Sequence, residues 1–282
     1  GATAFHTPVD NFRPGERVQA TVTSALGTKT VWSFRTAAGG GLGTFTFNGQ
    51  NLGDTSVNIS TFGFGVSDFD GDGDLDAFVA NGNTNSGEPN FINRMLRNEG
   101  GGVFVDTGQA LGNNDSKDVA SGDVDGDGDV DAVVVNDAGG ANRVWINNGS
   151  GVFSELGTFG GNNSERVALG DLDGDGDLDA FVANSNGANG VYLNDGAGNF
   201  GGGASIGNST SFGVDLGDID GDNILDLAVA TNAGTYGAVI VMYGDGVWGF
   251  DTVDEIEIDA PLTAIVLADT DVDGQDELVD GV

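Results

Sequence analysis

The chain has 282 residues, 38% of them hydrophobic and 51 of them glycine, which is enough apolar content for a packed core and excludes intrinsic disorder. Nine Lys+Arg against 44 Asp+Glu give a formal charge of −35, which argues against nucleic acid as a partner. With no Cys there is neither a disulfide framework nor thiolate chemistry, and no apolar run approaches membrane-spanning length.

The chain opens on Gly1 with neither Met nor a signal-like segment, as expected of a processed or trimmed chain. From Ser67 onward one pattern dominates. "SDFDGDGDLDAFVAN" places aspartates at alternate positions and then turns apolar. It returns as "GDVDGDGDVDAVVVN" from Gly122, "GDLDGDGDLDAFVAN" from Gly170, "GDIDGDNILDLAVAT" from Gly217 and "ADTDVDGQDELV" from Ala268. The apolar runs lack polar alternation and contain Val and Phe, so they read as strands buried on both faces. Each acidic loop therefore joins two strands. A third strand follows ("NRMLRN", "NRVWIN", "GVYLND"), then a Gly turn and a fourth strand that begins with an aromatic residue. The first Asp of each loop falls at 68, 123, 171, 218 and 269, a period near 50 residues. Short strands at that period predict an all-β propeller of about five blade-like repeats, four antiparallel strands to a blade. No sustained helical period occurs.

The loops hold 24 of the 44 acidic residues, and no Lys or Arg occurs after Arg166. Side-chain cations cannot neutralise the later loops from nearby sequence. The spacing D-x-D-x-D-G is the one by which a short loop wraps Ca²⁺: carboxylates at positions 1, 3 and 5 converge, position 6 turns sharply, and position 7 offers its carbonyl. Here an acid closes the loop at position 9. The predicted ligands are Asp68, Asp70, Asp72 and Asp76 with the Asp74 carbonyl; Asp123, Asp125, Asp127 and Asp131 with Asp129; and Asp171, Asp173, Asp175 and Asp179 with Asp177. The fourth loop offers Asp218, Asp220, Asp222 and Asp226, with Asn223 in place of the turning Gly. The fifth offers Asp269, Asp271, Asp273 and Glu277, with Val272 where the others carry Gly. About five Ca²⁺ ions are expected. Mg²⁺ fits less well, since it retains several waters.

The unit "GDxDGDGDLDAxVAN…NRxxxNNGxGxF" resembles the FG-GAP/VCBS repeat, found also in the propeller of integrin alpha subunits. The resemblance covers roughly Gly39 to the C-terminus. It implies a β-propeller with calcium between the first two strands of each blade, in secreted or cell-surface proteins. Family propellers commonly have seven blades, whereas this length holds about five at the observed period. The expected domains are therefore residues 1–38 and a propeller over 39–282. "DNFRPGERVQATVTSALGTKTVWSFRTAA", Asp10 to Ala38, resembles the C-terminal half of a bacterial surface-layer-type Ig-like domain. Alternatively, "TVWSFRTAAGGGLGTFTF" has the shape of blade strands three and four, and would complete a final blade whose last loop is followed only by "LVDGV".

His6 is the only His, which with the absence of Cys excludes His-based triads and His-ligated zinc. Carboxylate pairs remain, but the sequence distinguishes none of them from the rest. The expected function is a calcium-stabilised extracellular structural or adhesive propeller rather than an enzyme. Its partners would be surface proteins, glycans or copies of itself, joined by strand complementation into a filament. The competing class is a secreted carbohydrate-binding or polysaccharide-cleaving module. Arg94 and Arg143 are expected to pair with acids in adjacent blades, and Trp145, Tyr192 and Trp248 to sit in the core between blades.

Overall fold

In a computed structural model of the chain, residues 59–83, 91–100, 103–207, 210–232, 236–247, 249–259, 262, 264–268 and 275–279 are described, together with the backbone of 17–23 and 29–35. At 59, 60, 83, 251–253, 277 and 279 the description likewise extends to the backbone alone. The chain divides into two compact units, Gly1–Gly49 and Gln50–Val282. The first contains an antiparallel pair, β1 (Arg17–Thr23) and β2 (Lys29–Arg35), in register from Arg17↔Arg35 to Thr23↔Lys29. His6 and residues 36–47, on which either N-terminal reading depends, lie outside the described residues.

The second unit repeats one motif. Its first sheet runs β3 (Ile59–Ser67), β4 (Asp76–Asn83), β5 (Arg94–Asn98), β6 (Phe104–Asp106). The second runs β7 (Ser116–Gly122), β8 (Asp131–Asn136), β9 (Asn142–Asn147), β10 (Phe153–Phe159). The third comprises β11 (Asn163–Gly170), β12 (Asp179–Asn186), β13 (Asn189–Asn194) and β14 (Phe200–Gly201), with β15 (Ser205–Ile206) also paired to β13. The fourth is β16 (Ser211–Gly217), β17 (Asp226–Asn232), β18 (Gly237–Gly244) and β19 (Phe250–Ile258). A fifth pair, β20 (Val266–Ala268) and β21 (Glu277–Val279), repeats the first two strands of the motif. All pairings are antiparallel and, apart from β13 with β15, join neighbours in sequence, and no helix occurs among the described residues. The fold is all-β, a series of blade-like meanders.

The second strand of each blade explains why those apolar runs lack alternation. All six residues of β8 are buried. Val134 packs toward blade one with Phe69, Phe78 and Met95, while Val133 and Val135 pack toward blade three with Val167 and Val182. Successive side chains of a strand point to opposite faces, and here both faces are core. Trp145 and Phe153 of blade two close over blade one, where Phe153 meets Phe69 and Phe78 edge-to-face at 5.4 and 5.3 Å. Tyr192 fills the next joint beside Phe159, centroids 4.9 Å apart. Trp248 lies outside the described residues.

First strands approach closely because the residue just before each loop is small. Leu178 and Leu225, from the loops of blades three and four, reach within 2.6 Å of the points where a Cβ on Gly122 and Gly170 would stand. Any side chain there would push the blades apart. At the end of the strands away from the loops, buried asparagines do the joining. The backbone N–H groups of Asn81, Asn136 and Asn184 donate to the side-chain oxygens of Asn93, Asn142 and Asn189, closing the turn from strand two to strand three. Asn93 and Asn189 then donate across the joint to Ser116 and Ser211 of the following blade, each at 3.0 Å. At the joint between blades two and three the equivalent groups, Asn142 Nδ2 and Ser164 Oγ, are buried without a hydrogen-bond partner.

The arginine expectation is corrected. Arg94 pairs with Asp106 and Arg143 with Glu155, each within its own blade rather than in an adjacent one. Antiparallel pairing sets Asp106 opposite Leu96 and Glu155 opposite Trp145, each acid diagonal to the arginine two residues before on the third strand.

Candidate metal centres

Every described acidic loop spans the turn from first to second strand and is built on its own backbone. In the second loop, Asp123 accepts from the N–H of Gly126 through Oδ1 and of Gly128 through Oδ2, at 2.8 and 3.1 Å. Asp125 accepts from Asp127 N and Asp127 from Asp129 N, at 3.2 and 2.9 Å. The third loop repeats these bonds from Asp171, Asp173 and Asp175, and the fourth from Asp218, Asp220 and Asp222. The first repeats all but one of them through Asp68, Asp70 and Asp72, the oxygen Asp68 Oδ1 receiving no N–H. Such bonds curl the chain so that the carboxylates face one another.

Two positions must turn left-handed for this, not one. Gly71 and Gly73 have φ of 74° and 92°, and the pattern recurs at Gly126 and Gly128 and at Gly174 and Gly176. In the fourth loop Gly221 is followed by Asn223 at φ 68°, a conformation that Asn adopts more readily than most residues.

The aspartate at position nine is anchored most firmly. Asp131 is fully buried, and accepts from Val124 N at 3.0 Å and from Asn147 N, at the end of the third strand, at 2.8 Å. Asp76 is held likewise by Phe69 N and Asn98 N, Asp179 by Leu172 N and Asn194 N, and Asp226 by Ile219 N and Gly244 N. Burial nevertheless raises the Asp131 carboxyl to about 6. It also raises Asp76 and Asp179 above the usual carboxylate range, with the charges of neighbouring loop aspartates adding to the effect. At Asp125, Asp177 and Asp220 desolvation again leads, and other loop carboxylates push the same way. These groups resist carrying charge together unless something positive sits among them.

The carboxylates converge. One oxygen from each of Asp68, Asp70 and Asp76 lies within 4.8 Å of the others, as do those of Asp123, Asp125 and Asp127, of Asp171, Asp173 and Asp179, and of Asp218, Asp220 and Asp226. Position five joins the group in the second loop and position nine in the other three. Asp72, Asp175 and Asp222 thus stand outside the tight groups, and so does Asp131. Asp74, Asp129 and Asp177 occupy position seven, where the expected donor is the backbone carbonyl. Asp269, Asp271 and Asp273 lie outside the described residues, and Glu277 is described only as the first residue of β21. A metal fits the first group on its own evidence: Asp68 Oδ1 is buried with no hydrogen-bond partner. An all-oxygen, all-anionic donor set suits a hard cation. Among the described residues, Arg97, 4.0 Å from Asp70, is the one side-chain cation near any of the four loops.

Sequence reasoning missed the residues that tie one loop to the next. Asn147 Nδ2 donates both to Phe69 O in the loop of blade one, at 2.7 Å, and to Val130 O in its own loop, at 3.0 Å. Asn194 Nδ2 does the same for Val124 O and Leu178 O, at 2.7 and 3.2 Å. Asn98 holds Leu75 O of its own loop. The signal was present, an Asn closing each of "NRMLRN", "NRVWIN" and "GVYLN", but it reads equally as the start of a turn.

Blade-like meanders with an acidic hairpin loop after each first strand define a repeat protein whose candidate cation centres lie at the joints between its blades. Comparison with known families agrees: the FG-GAP-like repeat matches at residues 68–134, 123–182 and 171–229, together more than half of the chain. The chain belongs to the FG-GAP-like repeat family. Each match runs from one acidic loop through the next second strand, so the sequence repeat straddles a blade joint. No curated protein matches the chain.

Proposed function

We propose that this chain is a calcium-stabilised, non-catalytic propeller-type module of the extracellular space or cell surface, with a structural or adhesive role toward surface proteins, glycans or other copies of itself. One observation carries the reading. Four acidic loops each bring three carboxylates together, and in the first a buried carboxylate oxygen lacks any partner. Asp68, Asp70, Asp72 and Asp76 would hold the first ion with the Asp74 carbonyl, and the equivalent residues the others. Bound calcium would supply positive charge where the chain has almost none; five ions would bring −35 to −25. The protein's own groups do the rest. Backbone N–H bonds preset the loops, and Asn147 and Asn194 carry the order of each loop to its neighbour. Extracellular calcium is abundant enough to keep such sites filled, which favours that location.

Thermal unfolding of the dialysed protein, with calcium and with excess chelator, tests the reading. A markedly higher midpoint and slower proteolysis with calcium are expected. Identical melting under both conditions would refute it.

A further inference from the structure

The turn between the third and fourth strands repeats one arrangement, and blade two departs from it in a single group. The turn holds Glu99–Gly100, Asn148–Gly149, Asp195–Gly196 and Asp245–Gly246 in blades one to four. All four glycines are left-handed, with φ between 72° and 90°. Two of them also lie hard against the position-seven aspartate of their own loop. A Cβ on Gly149 would stand 2.5 Å from Asp129 Oδ2, and one on Gly196 2.5 Å from Asp177 Oδ2. Glycine is therefore compelled at this place, and the residue before it decides the chemistry. Blades one, three and four put an acid there; blade two puts an amide.

Three features of Asn148 favour loss of that amide. It is exposed, and Gly149 has no Cβ to hinder approach of its backbone nitrogen. Gly149 N donates to no group among the described residues. Ser150 N donates to Asn148 Oδ1 at 3.1 Å, so an N–H already faces the oxygen on which negative charge gathers when Cγ is attacked. The other described Asn–Gly pairs lack this combination. Asn81 and Asn189 are 5 and 2% exposed, with Nδ2 held by Ile92 O and Ser211 Oγ at 2.8 and 3.0 Å. Asn186 is exposed, but its backbone closes β12 and pairs with Asn163.

We infer that Asn148 is a site of spontaneous modification, and that one of its products loosens the joint between blades one and two. Gly149 N attacks Asn148 Cγ and gives up its proton, the Cγ–Nδ2 bond breaks, and ammonia leaves a five-membered succinimide. Water then opens the ring at either carbonyl. One opening gives an aspartate, which matches the acid of the neighbouring blades and keeps an acceptor for Ser150 N. The other gives an isoaspartate, in which the chain runs through Cγ and gains one backbone atom. That longer backbone drives Gly149 against Asp129. It also pulls on two bonds: Asn148 N to Val152 O at 3.2 Å, and Gly151 N to Phe69 O, across the joint, at 2.9 Å. The only co-reactant is water, and the chemistry does not depend on which cation the loops bind.

Ageing the whole chain in calcium at neutral pH and body temperature, with peptide mapping by mass spectrometry over weeks, tests the site. Acid should accumulate at position 148 ahead of Asn81, Asn186 and Asn189, and an isoaspartyl methyltransferase should label most of it. Asn148→Gln, whose longer side chain does not readily close the ring, should keep the wild-type melting midpoint and stay unlabelled at this turn. If position 148 keeps its amide, or loses it no faster than the other three, the site is refuted. Melting tests the joint. The aged fraction, separated by anion exchange on its added charge, should melt below fresh protein. Fresh Asn148→Asp, which has the charge without the added backbone atom, should melt with the wild type. If it melts as low as the aged fraction, charge alone explains the loss and the effect on the joint is wrong. An aged fraction that melts with fresh protein would overturn that effect too.

Discussion

The second and fourth loops share four carboxylates, the second adding Asp129 where the fourth has Ile224, and differ in what surrounds them. Both place Asp at positions one, three, five and nine, with the same backbone N–H groups donating to them. Where the second has Gly128 the fourth has Asn223, and where blade two ends its third strand on Asn147, blade four has Gly244. Gly244 still donates its N–H to Asp226, at 3.0 Å, but no amide is available to bridge Leu172 O to Leu225 O. Nor is there room for one, since a Cβ on Gly244 would stand 2.4 Å from Leu225 O. The comparison separates two jobs: folding a loop around its carboxylates, which both blades do, and tying that loop to its predecessor, which only the earlier blades do.

The largest effect should come from what the two loops share. Asp131→Ala strips the acceptor from two buried backbone N–H groups and a neighbour from the cation site, at a cost of about 3–5 kcal/mol in urea unfolding with calcium. Asp226→Ala should cost nearly as much; a much smaller loss would mean that the fourth loop is not built as the second is. Next comes what they do not share. Asn147→Ala removes the amide donor from Val130 O and one of the two donors to Phe69 O, and should cost about 1–3 kcal/mol. It should also uncouple calorimetric binding at the first loop from the second, while leaving the fourth as it was.

Acidity sharpens the comparison a third way. A carboxyl raised to about 6 in the folded chain and near 4 when unfolded takes up its proton on folding. Folding of the cation-free protein is therefore favoured at low pH, and this contribution is lost as pH rises from about 4 through 6. Cation-free protein should melt at higher temperature at pH 5 than at pH 7. With calcium the order should reverse, because protons then displace the ion; the same trend with and without calcium would break the argument. The smallest effect belongs to Asn223→Gly. Relief of a left-handed non-glycine should gain about 0.5–1 kcal/mol and tighten the fourth site alone.

What was legible in the sequence was local. Alternating aspartates with glycines between them fold a loop through bonds spanning two to five residues, and both-face burial of the following strand shows in four consecutive apolar residues. The extra left-handed position was legible in principle, since Gly71, Gly126, Gly174 and Gly221 recur at one place in the pattern. Val272 stands at that place in the fifth loop, where a β-branched residue meets a backbone that the other four hold left-handed. What stayed hidden was joinery over distance. Asn147 reaches a carbonyl 78 residues earlier, and no spacing rule separates that Asn from one that opens a turn. The arginines misled for the opposite reason: a repeat-equivalent Arg looks like a joint residue, whereas strand pairing had already supplied an acid within the same blade.

The polar ties between blades have a mechanical consequence. Between blades one and two, Asn147 and Gly151 N both reach Phe69 O at the loop end, and Asn93 reaches Ser116 at the other. Between two and three the loop-end tie through Asn194 is joined by Val167 N on Asp118, and between three and four Asn189 holds Ser211. Each tie spans one joint, so a pulling force is carried in series and rupture begins at the weakest coupling. Load applied from the C-terminal side first meets the joint of β20–β21 with blade four, which Asp276 N to Asp218 O, Leu267 N to Asp215 and the two bonds between Asn232 and Leu262 hold together. A less fastened joint further in would part before it, leaving folded remnants on either side on which the released blades can re-form.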